Sequence, residues 1–239
     1  MDAYRQFNGK TDVSNRRNGN IEPFEEMIER AALEIGIDLS KGEIALFSQY
    51  YREILLWNKQ ISLVSIKSLT DIPIKHIIDS LTVAQFINKD DARLLDIGTG
   101  AGFPGIPLKI IKSSLKVTLV DSYRKKVSFL KNVVRKLNLT DTVIINARIE
   151  HLKENKKESG SYDVVVSRAT FKLSQYLAEG VPFLSTDGML IAMKGKSVTQ
   201  ELEDAEDVLR KTCLKLVECH EIRLPVIGDK RFILVFKRV

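Results

Sequence analysis

The chain has 239 residues, a net charge of +6, 44% apolar residues and 28% charged residues. This length fits one large domain or a domain with an added subdomain, and the composition is ordinary for a soluble globular protein. No apolar run approaches the roughly 20 residues of a membrane span, and residues 1–20 lack the apolar core of a secretory signal. We therefore expect a cytoplasmic protein that does not contact a membrane and whose polar segment 1–20 is disordered.

The first part of the chain is predicted to be helical. Pro23 to Ile35 has apolar residues at helical spacing, with the proline near the first turn. Ser40 and Glu43 have the spacing of a capping box, which opens a second helix that ends near Trp57. Residues 71–87 form a third predicted helix. Trp57 is expected to pack in the core or between domains rather than to stack on a base.

From residue 94 the hydrophobic period changes to that of strands. Seven strands are predicted, at 94–97, 117–120, 143–146, 164–167, 189–194, 214–224 and 232–237. Helices are predicted between the first six, at 105–112, 123–137, near 150, 171–184 and 197–211. Apolar strands that alternate with helices indicate a Rossmann-like α/β fold, with a mostly parallel sheet covered on both faces. The turn-rich link 225–230 predicts an antiparallel hairpin at the sheet edge. The predicted division is a helical N-terminal extension at 21–90 and a core at 91–239.

Charge is concentrated in one part of the chain. Between Lys109 and Leu137 there are nine Lys or Arg residues and a single acid, Asp121. Such a basic segment indicates a polyanionic partner, with a solvated helix face as the alternative.

The cysteines and histidines indicate no metal site. Cys213 and Cys219 lie six apart, which matches no zinc pair. Two small apolar residues in a strand-rich region are favoured over a disulfide. His76, His151 and His220 are isolated in the sequence.

The stretch LLDIGTGAGFPGIPLKI, residues 94–110, places four glycines directly after the first strand. In an open α/β sheet, ligands bind at the carboxyl ends of strands, and glycines let a ligand approach the backbone. Two patterns fit. Gly100 to Gly105 matches G-x-G-x-x-G of dinucleotide sites, and Asp96 to Gly102 matches acid-x-G-x-G-x-G of S-adenosylmethionine sites.

The acids of this region favour S-adenosylmethionine. A pyrophosphate needs bare N–H groups at a helix N-terminus, and a carboxylate on the approaching strand would repel it. S-adenosylmethionine instead carries a sulfonium and an ammonium, which an acid such as Asp96 favours. Asp121 ends the second strand, where a ribose-binding acid is expected; its alternative role is a helix cap, which Ser122 could also provide.

The absence of two known motifs reduces the number of possible methyl acceptors. The Asp/Asn-Pro-Pro-aromatic turn of adenine amino methylation is replaced by residues 167–170, Ser-Arg-Ala-Thr. Neither cysteine lies at a strand end near the donor, as pyrimidine carbon methylation requires. A ring nitrogen with a free lone pair, such as guanine N7, needs alignment but no general base. The sequence is consistent with this chemistry.

Several longer motifs resemble the bacterial 16S rRNA guanine-N7 methyltransferase family, also called the glucose-inhibited division protein B family. The resemblance covers about residues 24–237. It includes Trp57-Asn58-Lys59, His76-Ile77-Ile78-Asp79-Ser80-Leu81, Asp96 to Pro107, Asp121-Ser122, Arg124-Lys125, Arg148-Ile149-Glu150, Ser167-Arg168-Ala169 and Lys194-Gly195.

The resemblance implies a class I S-adenosylmethionine-dependent methyltransferase. The enzyme would methylate a guanine of 16S rRNA at N7, as free RNA or in the small ribosomal subunit, and release S-adenosylhomocysteine. It is expected to work as a monomer without a metal. Which guanine is methylated is left open.

Site residues are expected in three groups. The donor-binding residues are Asp96, Gly98, Gly100, Gly102, Phe103, Asp121, Ile149, Glu150 and Arg168, with Ile149 on the adenine. The possible catalytic residues are His76, Asp79, Ser80 and Arg168, although His76 and Asp79 could instead bond each other on a surface. The RNA-binding candidates are Arg124, Lys125 and Lys194, and the target base would stack on Phe103 or Arg168.

Two other functions stay open. One is a methyltransferase with the same donor site that acts on another RNA, a protein or a small molecule. The other is a nucleotide- or RNA-binding protein without catalysis.

Overall fold

A seven-stranded sheet forms the centre of the computed structural model, which describes residues 22–68, 70–153, 157–168, 171–195 and 198–239. The predicted disorder at 1–20 lies outside these residues. All seven predicted strands are present. They are β1 Arg93–Ile97, β2 Lys116–Asp121, β3 Thr142–Asn146, β4 Tyr162–Arg168, β5 Leu184–Lys194, β6 Leu214–Arg223 and β7 Lys230–Arg238.

The strand order is β3-β2-β1-β4-β5-β7-β6. The first five strands in this order are parallel, while β7 pairs antiparallel with both β5 and β6. The chain winds outward from β1 to β3 and then returns to β4 on the other side of β1. The carboxyl ends of β1 and β4 therefore flank the point where strand order reverses, the place where such sheets bind ligands.

Side chains of the central strands alternate between two apolar cores. Leu94 and Val164 face one core, and their neighbours Leu95 and Val165 face the other. This period of two means that helices must cover both faces. On the first face lie α4 Gly105–Ile111 and α5 Arg124–Lys136; on the second lie α6 Ile149–Leu152, α7 Leu173–Gly180, α8 Val198–Glu203 and α9 Glu206–Thr212.

The N-terminal helices pack on the first face. They are α1 Phe24–Glu34 and α2 Lys41–Asn58, and α2 begins with the predicted capping box between Ser40 and Glu43. Trp57 packs edge-on against Phe129 of α5 with 5.8 Å between ring centroids, as expected for a core residue. Buried residues of both helices belong to the same apolar core as the sheet. The domain boundary near residue 90 stays a prediction.

The third helix differs from its prediction. Residues Asp71–Ile78 are π-helical, Asp79–Leu81 complete one α-helical turn, and Ala84–Phe86 form a separate 3₁₀ turn. The hydroxyl of Thr82 donates to the carbonyl of Asp79 at 2.6 Å, which competes with the helical hydrogen bonds at this end.

Two later helices are shorter than predicted. The helix expected at 171–184 ends at Gly180, and a 3₁₀ turn Val181–Phe183 follows because Pro182 has no backbone N–H to continue it. The helix expected at 197–211 is divided into α8 and α9, since the N–H of Ala205 bonds the carbonyl three residues back, Leu202.

The cysteines differ in part from their prediction. Cys213 and Cys219 are free thiols, and both are exposed rather than apolar packing residues. Cys213 ends α9 in a left-handed conformation, and Cys219 lies in the edge strand β6.

Among the described residues, no helix combines the length and apolar character of a membrane span. The same residues contain no group of three or more His, Cys, Asp or Glu side chains that could hold a metal ion.

Candidate functional site

The glycine turn connects the end of β1 to the start of α4. Gly98, Gly100 and Gly102 have φ values of 69°, 62° and 97°, a region that other residues rarely adopt. A Cβ atom added to Gly100 would meet no protein atom within 4 Å, whereas one on Gly105 would come within 2.5 Å of Leu119 Cδ2. The turn is thus open at Gly100 and closely packed at Gly105, where α4 begins.

Asp96 lies beneath this turn and is fully buried. Its Oδ2 atom accepts hydrogen bonds from the hydroxyl of Thr99 at 2.6 Å and from the N–H of Gly105 at 2.8 Å. Its Oδ1 atom is buried without a hydrogen-bond partner. Burial raises the pKa of Asp96 to about 7, against the lowering effect of these two hydrogen bonds. Asp96 therefore braces the turn, and its donor contact stays a prediction.

Asp121 holds the same turn from the neighbouring strand. Its Oδ2 accepts from the N–H of Gly100 at 2.9 Å, and its Oδ1 accepts from the N–H of Tyr123 at 2.8 Å. No side chain caps α5, so neither Asp121 nor Ser122 has the alternative capping role. Asn146, which the sequence analysis missed, donates to the carbonyl of Asp121 at 3.0 Å.

The backbone N–H groups of the turn are largely occupied by acceptors within the protein. This holds for Gly98, Thr99, Gly100, Gly102, Phe103, Gly105 and Ile106. A pyrophosphate would need several of these groups free and pointing towards it. Asp121 at the edge of the turn instead presents carboxylate oxygens, which fit the hydroxyls and positive charges of S-adenosylmethionine. The geometry thus favours S-adenosylmethionine over a dinucleotide.

Ile149 and Glu150 lie at the start of α6, next along the chain after β3. Ile149 is buried in the second apolar core, while Glu150 is exposed. Since β3 pairs with β2, these residues follow the strand beside Asp121. Their roles at the adenine stay predictions.

Arg168 ends β4 and joins three segments that are distant in sequence. Its Nη2 atom lies 2.9 Å from Nδ1 of His76, and its Nη1 atom donates to the carbonyl of Lys75 at 2.8 Å. The same Nη1 lies 3.5 Å from Oδ2 of Asp79. The Cζ atom lies 5.0 Å from the ring centroid of Phe103, within range of a cation–π contact.

Phe103 belongs to this cluster as a packed residue. It is 3% exposed, and its ring stacks on His76 with 5.1 Å between centroids and an angle of 20°. Tyr50 of α2 packs on it at 5.5 Å. Phe103 therefore connects the glycine turn to the π-helical segment.

His76 is held neutral in this environment. Burial is the main cause, and with the positive charge of Arg168 it lowers the pKa of His76 to about 3. A histidine with this pKa has little tendency to take up a proton near neutral pH. The predicted alternative of a surface bond between His76 and Asp79 is wrong, because Asp79 is buried and Arg168 lies between them.

Asp79 receives a second guanidinium from β7. Nε of Arg231 lies 3.4 Å from the same Oδ2 atom, and the Oδ1 atom is buried without a hydrogen-bond partner. Burial raises the pKa of Asp79, while both guanidiniums oppose this effect. Ser80 is buried, and its hydroxyl donates to the carbonyl of His76 at 2.6 Å, within the helix.

A cleft of about 520 Å³ opens beside Arg168. Its charged lining residues are mostly basic, namely Lys67, Lys75, Arg168, Lys194 and Arg231, with Asp71 and Asp79 as the acids. Lys194 is buried and bonds Glu201 at 2.6 Å and the carbonyl of Phe171 at 2.7 Å, so its ammonium already has partners. Arg124 and Lys125, by contrast, are exposed on the first turn of α5.

Comparison with known proteins gives a consistent result. Residues 43–226 match the family model described as rRNA small subunit methyltransferase G. The protein of that name from Syntrophus aciditrophicus (strain SB) is 48% identical over 213 residues, covering 89% of this chain and 88% of the relative. Its namesake from Geotalea uraniireducens (strain Rf4) is 40% identical over 218 residues, 91% of this chain and 98% of the relative.

Solved structures share the fold at low identity. An S-adenosylmethionine-dependent methyltransferase from Aquifex aeolicus has a TM-score of 0.56 at 18% identity, covering 72% of this chain and 94% of that one. M. jannaschii TYW2, crystallised with S-adenosylmethionine, has a TM-score of 0.54 at 17% identity, covering 69% and 76%. The α/β methyltransferase fold is therefore established, with a mostly parallel seven-stranded sheet and an antiparallel edge.

Proposed function

Because the chain belongs to the rRNA small subunit methyltransferase G family, we propose that it transfers a methyl group from S-adenosylmethionine to N7 of a guanine in 16S rRNA. The small ribosomal subunit or its rRNA is the partner. The single observation that carries the donor assignment is the glycine turn, whose N–H groups are internally bonded while two acids border it. We also propose that the enzyme acts as a cytoplasmic monomer without a metal.

The donor would occupy the crevice at the end of β1. Gly100 leaves room above the turn, and Asp121 offers acceptor oxygens to the ribose. Asp96 acts indirectly, since its carboxylate fixes the start of α4. Ile149 and Glu150 would border the adenine.

The reaction requires alignment rather than proton transfer. S-adenosylmethionine supplies an electrophilic methyl group on a positively charged sulfur. The N7 lone pair forms the new carbon–nitrogen bond while the carbon–sulfur bond breaks, so the positive charge moves to the guanine and no proton is lost. The low pKa of His76 and the internal hydrogen bond of Ser80 agree with a site that has no general base.

Arg168 lies between the proposed positions of S-adenosylmethionine and of the target nucleotide, and it would hold the two substrates relative to each other. It lies over Phe103 of the glycine turn and also lines the cationic cleft. The cleft would admit the target nucleotide, with Lys67, Lys75 and Arg231 near its phosphates. Fixing the nucleotide against the donor in this way is the chief means of catalysis that such a site offers.

The proposed function is tested by mapping N7-methylguanine in 16S rRNA from cells with and without this gene. We expect one modified guanine to disappear with the gene and to return when purified enzyme, S-adenosylmethionine and the unmodified rRNA or small subunits are combined. An unchanged methylation map, with methyl transfer to a protein or small molecule instead, would overturn the proposal. Binding of NAD but not S-adenosylmethionine at micromolar concentration would overturn the donor assignment.

A further inference from the structure

Proteins that recognise single-stranded RNA commonly stack its unpaired bases on aromatic side chains or arginine planes. The sequence pointed to Phe103 and Arg168 for this purpose. Phe103 is buried and its ring is covered by His76 and Arg168. Arg168 is itself held by His76 and Asp79. Both planes are therefore occupied by contacts within the protein.

Among the Phe, Tyr and Trp side chains in the described part of the chain, only Tyr123 is exposed, at 68%. It directly follows the end of β2 and precedes α5. Its backbone N–H donates to Asp121, whose other oxygen accepts from Gly100 of the glycine turn. The backbone of Tyr123 is thus fixed relative to the donor crevice, while its ring is exposed to water.

The surroundings of this ring are cationic. Nζ of Lys126 lies 5.4 Å from the ring centroid, and Arg124 and Lys125 are exposed beside it. Helix α5 carries six basic residues and no acid. An aromatic plane next to several cations complements the two parts of a nucleotide, the base and the phosphate. The same cations would repel the sulfonium and ammonium of the donor.

The ring lies beside the transfer point rather than at it. β2 and β4 are both neighbours of β1, so their carboxyl ends are about 10 Å apart at the usual strand spacing. Arg168 marks the end of β4. We propose that Tyr123 stacks on an unpaired base next to the target guanine while the cations of α5 hold its phosphates. This inference rests on the proposed rRNA substrate.

The test compares Tyr123→Leu, which keeps an apolar side chain but loses the aromatic plane, with Tyr123→Phe and Tyr123→Trp, which keep the plane. Affinity for unmodified 16S rRNA is measured at several salt concentrations, and affinity for S-adenosylmethionine by calorimetry. We expect Tyr123→Leu to bind rRNA about tenfold more weakly, with an unchanged salt dependence and unchanged donor affinity. The Phe and Trp variants should bind as the wild type does.

A matched control separates stacking from charge. The salt slope is the steepness with which the logarithm of the rRNA binding constant falls with the logarithm of salt concentration. Lys125→Gln should lower it by about 0.7, as loss of one phosphate contact does, whereas Tyr123→Leu should leave it unchanged. Leu33→Ala removes an equally exposed apolar side chain from α1 and should have no effect. Because Tyr123 is exposed, its variants should fold normally.

Two results overturn the inference while the proposed function survives. If Tyr123→Leu binds and methylates rRNA as well as the active wild type does, the ring contacts no base. If Tyr123→Leu instead loses donor affinity, the ring belongs to the adenine site. A wild-type enzyme that transfers no methyl group to rRNA would overturn both this inference and the proposed function.

Discussion

The Oδ2 atom of Asp96 accepts a hydrogen bond from the N–H of Gly105 at 2.8 Å, across the glycine turn. This bond ties the last part of β1 to the first residue of α4. It gives the acid before the glycines a structural role, since its buried carboxylate bonds the first N–H of α4. The shape of the donor crevice therefore depends on Asp96 even without a direct contact.

We predict that stability depends on pH through Asp96. Its pKa is about 7 in the folded protein, against an ordinary value of 3.8 for an aspartate in an unfolded chain, so between these values the folded protein keeps a proton that the unfolded chain has lost. The contribution of Asp96 to stability should therefore fall as pH rises from about 4 to about 7, by at most about 1.4 kcal/mol per pH unit. The free energy of unfolding, measured in urea at several pH values across this range, should fall less with rising pH for Asp96→Asn than for the wild type. Parallel curves for the two proteins would contradict the assignment.

Gly105→Ala should damage the turn. Its Cβ atom would lie 2.5 Å from Leu119 Cδ2 and 2.9 Å from Asp96 Oδ2. Overpacking of this kind costs about 1–3 kcal/mol, and displacement of the carboxylate should also weaken donor binding. The control is Gly42→Ala in α2, where the nearest atom is Ser40 Oγ at 3.9 Å; it should leave donor affinity unchanged and stabilise the helix by up to about 1 kcal/mol. Denaturation and calorimetry with S-adenosylmethionine measure both effects, and equal behaviour of the variants would refute the packing argument.

The sequence predicted the sheet and the glycine turn because both depend on local pattern. Short β-branched runs and glycines after an acid have the same meaning in most α/β proteins. Helix ends were less accurate: one helix ends before Pro182, and another ends at Leu81, next to Thr82, whose hydroxyl bonds the carbonyl of Asp79. These stops depend on one or two hydrogen bonds, which periodicity does not reveal.

The contacts of Arg168 and Lys194 with distant residues could not be predicted from local pattern. His76 and Asp79 have the spacing of neighbours on a helix, but each contacts Arg168, which is 92 and 89 residues away in sequence. Lys194 was expected to meet RNA, yet Glu201 of the following helix already pairs with its ammonium. Contacts of this kind depend on the packing of strands and helices, which only the folded chain brings together.

We predict that His76 does not titrate during catalysis. With a pKa of about 3 it stays neutral across the usual pH range, so any step in kcat/KM near neutral pH should be the same in His76→Asn as in the wild type. His76→Asn keeps an acceptor for Arg168 and should retain more activity than His76→Ala. The exposed His220→Asn serves as control and should match the wild type. An activity that rises through pH 6.5 and loses this step in His76→Asn would assign proton transfer to His76.

The same shift has a consequence for stability. The folded-state pKa of His76 is lower than its ordinary value of 6.5, so the unfolded chain binds more protons below that pH. The stability associated with neutral His76 is fully present above pH 6.5 and is lost as the pH falls towards 3. His76→Asn should remove this loss. The effect is opposite in sign to that of Asp96, which allows the two residues to be separated by their variants.

Arg168→Lys should impair methyl transfer despite keeping the charge. A single ammonium cannot bond the His76 ring, the Lys75 carbonyl and the Asp79 carboxylate with the geometry of a guanidinium. Loss of one hydrogen bond to a charged group corresponds to about 10- to 100-fold in kcat/KM. Arg223→Lys, on the exposed edge strand β6, should have little effect. Full activity of Arg168→Lys would show that its positive charge alone is sufficient.

Charge reversal on α5 should weaken RNA binding selectively. Arg124 and Lys125 are exposed, and no ion pair involving them is found among the described residues, so both are available to phosphates. The double variant Arg124→Glu, Lys125→Glu should lower the salt slope of rRNA binding by about 1.4, since each lost phosphate contact on a single strand removes about 0.7. Donor affinity should be unchanged because Asp121 and the glycine turn keep their hydrogen bonds. The control Lys211→Glu, Lys215→Glu changes net charge equally on α9 and β6 and should leave the slope near that of the wild type. If both double variants reduce binding to the same extent, net charge rather than this surface attracts the RNA.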